Sequence, residues 1–120
     1  LSQVKLVASG PGISYGHNYV TTGQEIIGTV PIGYADGYRR HGTKIVLIGG
    51  KRVPVVGTVC MDQFMVRLDS VPDAMVGDEV VIIGSQGVDR ISAEEVAFRW
   101  STINYDVVSS IGSRVPRVYK

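Results

Sequence analysis

Two adjacent glycines, Gly49 and Gly50, stand between two apolar runs, Lys44 to Ile48 and Lys51 to Val56, and leave this stretch of chain few choices. A two-residue Gly-Gly loop suits a primed turn, whose twist matches that of the antiparallel strands it joins. The spacing therefore predicts a hairpin. Similar short runs, broken by glycine and proline, fill the first two-thirds of the chain: Gln3 to Ala8, ended by Gly10-Pro11-Gly12, then Glu25 to Ile32, and Phe64 to Leu68. Glu79 to Ile83 follows a loop holding Pro72, Asp73 and Gly77. Helical signals come late. Ser92 with Glu95 three residues on predicts a capping box at the head of a helix over Ala93 to Trp100. Ser101 or Thr102 can cap a second helix, carrying Ile103, Val107, Val108 and Ile111 on one side and stopped by Gly112. Val115 to Tyr119, with Pro116 inside it, reads as a closing edge strand. The fold class is mainly β: a compact Greek-key-like β-barrel or sandwich of about seven or eight strands, with one or two short helices near the C-terminus.

The 120 residues, 44% of them hydrophobic, fit one domain with a core of its own. Twelve basic and 11 acidic side chains leave a net charge of +1 without long single-sign runs, which excludes an electrostatic case for nucleic acid or an anionic membrane as partner. The lone cysteine, Cys60, forms no intramolecular disulfide, and two histidines without metal-ligand spacing build no recognisable metal site. A reducing, cytoplasmic setting follows. No apolar run approaches the roughly 18 residues of a membrane span, and Leu1-Ser2-Gln3-Val4-Lys5 lacks the pattern of a signal peptide. A start without methionine fits a domain cut from a longer chain.

Two runs stand out chemically. Gly33-Tyr34-Ala35-Asp36-Gly37-Tyr38 places a phenol beside a glycine and two residues before an Asp-Gly turn, a setting that aims Tyr34 across an interface or into a cleft. Gly57-Thr58-Val59-Cys60-Met61-Asp62-Gln63 also follows a strand. Each residue has a plainer reading beside the functional one. Tyr34 would serve as a half-buried strand residue bonded to a carbonyl, Cys60 and Met61 as core, and Asp36 as an Asx turn onto Gly37 or Tyr38. Asp62 and Gln63 would fix their loop by side-chain-to-backbone hydrogen bonds. His17 and His41 lie in loops and are assigned no catalytic role.

Taken in order, Gly33-Tyr34-Ala35-Asp36-Gly37, Val59-Cys60-Met61-Asp62-Gln63 and Arg114-Val115-Pro116-Arg117, with Ile13-Ser14-Tyr15-Gly16 in support, resemble the C-terminal domain of bacterial alanine racemases over essentially the whole chain. The resemblance implies a fold-type III pyridoxal 5'-phosphate enzyme with an N-terminal α/β barrel that holds the cofactor on a lysine. Residues 1–120 would then be its C-terminal β domain, with the barrel absent. It further implies a head-to-tail homodimer in which the β domain of one subunit completes the active site of the other. On this reading Tyr34 is the base that exchanges the α-proton of a small amino-acid substrate on one face, while the barrel lysine serves the other. The Met61 backbone N–H contacts the substrate carboxylate, and Asp36, Cys60 and Asp62 support the loops. The product would be D-alanine for peptidoglycan, and the isolated domain would be inactive.

Two positions depart from the family pattern. Ser113 stands where well-known members carry a tyrosine that reaches the cofactor phosphate, which leaves a cofactor contact by Ser113 or a larger pocket that admits serine. Thr58 replaces an arginine that lines the access corridor in many members, making the corridor less cationic. A serine or broad-spectrum racemase, a decarboxylase on the same plan and a stand-alone β-barrel binding module are the alternative readings. A binding module would show an exposed aromatic groove or basic stripe, whereas the six tyrosines are dispersed.

Overall fold

The computed structural model describes residues 1–7, 12, 13, 19, 20, 25–39, 44–100, 102, 104–112, 115 and 116. The described strands are β1 (Gln3–Val7), β2 (Gly12–Ile13), β3 (Tyr19–Val20), β4 (Glu25–Val30), β5 (Ile45–Ile48), β6 (Lys51–Val56), β7 (Phe64–Arg67), β8 (Val80–Val81), β9 (Gly84–Gln86) and β10 (Asp89–Ile91). Two short helices follow, α1 (Ala93–Arg99) and α2 (Asn104–Ser109). Six strands form one antiparallel sheet in the order β1-β4-β7-β6-β5-β8, and β9-β10 and β2-β3 make separate two-stranded pairs. Strands β4 to β7 lie in the order 4-7-6-5, a Greek key. The sheet curls into a half-barrel, so the domain is mainly β with two short helices late in the chain, as the sequence predicts.

The hairpin at the centre follows from backbone sterics. Gly49 and Gly50 both have positive φ, 61° and 77°, the combination a type I′ turn requires. Their strands pair Val46 with Val53 and Ile48 with Lys51. Strand β5 reads as an unbroken apolar run because both its faces are covered. Val46 and Ile48 join a core with Val53, Phe64, Val66 and Leu68, while Leu47 faces the other way, onto Ile91, Val96, Ala97 and Val107. Strand β7 alternates instead, with Phe64 and Val66 buried and Arg67 exposed.

Several local expectations change. Only Val80–Val81 of the run Glu79 to Ile83 pairs with β5, after which Gly84 to Ile91 doubles back as an unpredicted hairpin through Gly87, φ 61°. Ser92 does cap α1, its Oγ accepting from Glu95 N at 3.1 Å, but the Glu95 carboxylate serves Arg52 and Arg99 rather than closing a capping box. The second helix starts at Asn104 and, among the described residues of the expected stripe, buries Val107 alone; Val108 and Ile111 are 49% and 37% exposed. With 100° of rotation per residue, a six-residue helix that seats Val107 turns Val108 away. Val115 and Pro116 form no strand, and Ile103 and residues 117–119 lie outside the described residues.

Candidate functional site

After β4 the chain passes Pro31 and enters a single 3-10 turn, Tyr34–Asp36. Its geometry is set by Asp36, whose Oδ2 accepts from Gly33 N at 3.0 Å while its own N–H donates to the Gly33 carbonyl at 3.0 Å. This corrects the expected Asx turn: the carboxylate reaches back to Gly33, not forward to Gly37 or Tyr38. Gly37, φ 100°, ends the turn in the left-handed region and donates to the Tyr34 carbonyl at 3.2 Å. Asp36 is buried and Tyr34 is 41% exposed, so the phenol is carried outward on a turn, not half-buried in a strand.

The second run forms the loop between β6 and β7. Cys60 N donates to the Gln63 carbonyl at 2.8 Å, which closes the loop through the main chain. The Asp62 side chain is exposed and makes no hydrogen bond among the described residues, so it does not fix the loop in the expected way. Cys60 is half-buried, its Sγ 4.0 Å from the Thr58 carbonyl. Thr58 itself is 8% exposed and therefore lines no open corridor of this domain.

The two runs meet. Tyr34 N donates to the Cys60 carbonyl and Ala35 N to the Met61 carbonyl, each at 3.0 Å. The contact is close enough that only glycine fits at position 33. Met61 is 58% exposed, and among the described residues its N–H makes no hydrogen bond. The result is a double loop joined through its main chain, with Tyr34 and Met61 both exposed.

A third segment braces this pair from behind. Gly112 N donates to the Asp36 carbonyl at 2.9 Å, just beyond α2. Ser113, Arg114 and Arg117, with the Ser14-Tyr15-Gly16 part of the supporting motif and His17 and His41, lie outside the described residues.

Beneath the turn, Tyr38 is buried with its ring 4.7 Å from Phe64 and 5.6 Å from Trp100. Burial raises its phenol well above the usual value. Lys44 Nζ lies 5.7 Å from the Tyr38 ring centroid, and burial lowers its ammonium to about 8. An apolar groove of about 350 Å³, lined in part by Ile32, Tyr38, Val81 and Trp100, opens alongside. Sequence reasoning missed this arrangement. Its available signal was Gly37-Tyr38, an aromatic placed directly behind a glycine turn. Among the described residues no group of His, Cys, Asp or Glu is placed to hold a metal, and no helix is long and apolar enough to cross a membrane.

The family described as "Alanine racemase, C-terminal domain" matches residues 1–119. The chain belongs to the alanine racemase C-terminal domain family. It is 50% identical to an alanine racemase of Halothermothrix orenii and 52% identical to one of Halalkalibacterium halodurans, over 98% and 99% of its own length. It spans 31% of each of those relatives. It also superposes with a TM-score of 0.92 and 49% identity on a crystal structure of alanine racemase from Bacillus anthracis with bound L-Ala-P, covering 98% of this chain and 30% of that one. Family members carrying pyridoxal phosphate need a lysine to attach it, and neither loop of this domain contains one.

Proposed function

We propose that this domain completes the active site of an alanine racemase that interconverts L- and D-alanine as a full-length homodimer. Tyr34 moves the α-proton on one face of the substrate, and the Met61 N–H receives the carboxylate. The observation that supports this reading is the pair of main-chain bonds joining the Tyr34 turn to the Cys60–Met61 loop, with Tyr34 and Met61 both exposed. Pyridoxal phosphate, held on a lysine of the N-terminal barrel, supplies the acidification of the α-carbon. A neutral phenol is a poor base, so the reading requires groups of the opposing barrel to assist the proton transfer at Tyr34. An exposed edge that needs such a partner belongs to a composite site, with the second subunit's barrel facing it. The domain alone carries no cofactor lysine in these loops and is inactive by itself. D-Alanine for peptidoglycan is the product role, in the cytoplasm.

A second reading is favoured by one residue. Ser113 is shorter than the tyrosine of well-known members, which leaves room for a substrate larger than alanine, serine first. Cofactor contact by Ser113 belongs to the same question.

The test uses the full-length parent enzyme with added pyridoxal phosphate and follows α-proton exchange from each enantiomer of alanine. Racemisation by wild type, with selective loss of exchange from one enantiomer in Tyr34→Phe, supports the reading. Wild type that binds cofactor and leaves alanine untouched removes alanine as substrate, and equal behaviour of the two enantiomers in Tyr34→Phe removes Tyr34 as a one-sided base.

A further inference from the structure

We infer that Asp36 is a positioning residue for Tyr34, acting through the turn that carries the phenol; this rests on the reading of Tyr34 as a base. Three groups of Asp36 are engaged at once. Its carboxylate Oδ2 accepts from Gly33 N, its N–H donates to the Gly33 carbonyl, and its carbonyl accepts from Gly112 N. The side chain is 3% exposed, so these bonds are made away from competing water. Gly33, also buried, has its N–H satisfied by this carboxylate, and removing the acceptor strands a buried donor. The turn would then relax by rotating about Gly33 and Tyr34, the two residues whose dihedrals aim the phenol.

The companion loop has a closure that does not use that carboxylate, from Cys60 N to the Gln63 carbonyl, and it meets the turn only through the Cys60 and Met61 carbonyls that accept from Tyr34 N and Ala35 N. Loss of the Asp36 carboxylate therefore displaces the base more than the carboxylate-binding donor, which keeps the closure of its own loop. A misplacement of order 1 Å costs a reacting group about a hundredfold in rate. The loss falls on one proton-transfer direction only, since the group serving the opposite face sits on another domain.

The experiment compares full-length, cofactor-loaded wild type, Tyr34→Phe, Asp36→Ala and Asp36→Asn, with α-proton exchange measured from each enantiomer and KM measured beside it. Asp36→Ala is expected to lose about a hundredfold in exchange from the enantiomer that Tyr34→Phe impairs, with the other direction changed less than about threefold and KM changed by a smaller factor than the impaired exchange. Asp36→Asn retains an oxygen acceptor for Gly33 N and restores most of that exchange. Equal loss in both directions, or no directional loss, in Asp36→Ala overturns the proposal while Tyr34→Phe remains selective. If Tyr34→Phe is itself unselective, the base reading falls and the positioning role falls with it. Should Asp36→Ala not yield folded enzyme, Asp36→Glu, which keeps the carboxylate but shifts it by a methylene, is put to the same directional comparison with the same two outcomes.

Discussion

Gly33 stands so close to Cys60 that a β-carbon on it would lie 2.3 Å from the Cys60 carbonyl oxygen and 2.4 Å from the Met61 carbonyl. The obstruction is main chain, which cannot rotate aside as a flexible side chain would. Gly33 has extended backbone, so the requirement for glycine is steric and not conformational. Gly33→Ala must therefore push the Tyr34 turn off the Met61 loop. We expect a stability loss of about 1–3 kcal/mol by urea unfolding of this chain, together with a drop in full-length racemase activity that exceeds what the unfolded fraction explains. An active, fully stable Gly33→Ala enzyme would show that the two loops need not touch.

Lys44 and Tyr38 impose opposite pH dependences on one cluster. Burial lowers the Lys44 ammonium to about 8 against about 10.4 in the unfolded chain, so between those values the unfolded state binds more protons. Stability rises with pH across that window. Burial raises the Tyr38 phenol above its ordinary value of about 10, so above pH 10 the unfolded state loses its proton first and stability falls. The expected profile climbs from about pH 8 and turns over beyond about pH 10. Lys44→Met should be more stable than wild type below pH 8 and should lack the climb; urea midpoints across pH 7 to 11 decide it.

Arg52 ties the late hairpin and the first helix to the sheet. It bonds the Asp89 carboxylate at 3.0 Å and the Glu95 carboxylate, which also meets Arg99 at 3.4 Å. Bonding to Arg52 holds both carboxyls below the usual range, Arg90 N adding to the effect at Asp89 and Arg99 at Glu95. Their contribution is present above the unfolded carboxylate values near 4 and is lost as pH falls through the lower folded ones. The groups are partly exposed, so the effect is small and screened by salt. Arg52→Ala should flatten the acid limb of the stability curve and raise amide exchange in β9, β10 and α1, with both differences shrinking at 1 M salt. An unchanged acid limb would show that the ion pairs carry no folding energy.

Phe64 is fully buried and stacks on Tyr38, which stands directly behind the Tyr34 turn. Phe64→Ala should cost about 3–5 kcal/mol by removing a large core ring. Because Tyr38 N also donates to the Gly33 carbonyl at 3.4 Å, the folded fraction should show a weakened Tyr34 turn as well. Circular dichroism in urea reports the first effect, and exchange of the Tyr34 amide the second.

Elements written as local chemistry were legible in the sequence. Gly49-Gly50 demands its hairpin, Ser92 caps its helix, and the apolar runs of β4 to β7 have one natural state. Elements decided by distant partners were not. Glu95 sits where a capping box wants it, yet a better charge partner in Arg52, 43 residues away, takes its carboxylate. Of the described residues of the expected stripe, Val107 is buried with Leu47 and Ile91, whereas Val108 and Ile111 stay exposed. At the candidate site, Tyr34 could be picked out by type and setting, whereas Met61 read as core by type and entered through the family resemblance alone. Their meeting through Cys60 and Met61 carbonyls could not be read, because main-chain bonds leave almost no mark on residue identity beyond the glycine they require.

The bonds that join the Tyr34 turn to the Cys60–Met61 loop run from main chain to main chain, leaving the outward side chains of Tyr34, Ala35, Met61 and Asp62 outside the joint. A lineage carrying this frame can exchange the outer side chains of Ala35, Met61 and Asp62 by single mutations without dismantling the platform beneath them, while Tyr34 is kept for its chemistry and not for the frame. Gly33, hidden under the joint, is the residue such drift must leave alone. The architecture thus separates what inheritance must preserve from what selection is free to rewrite.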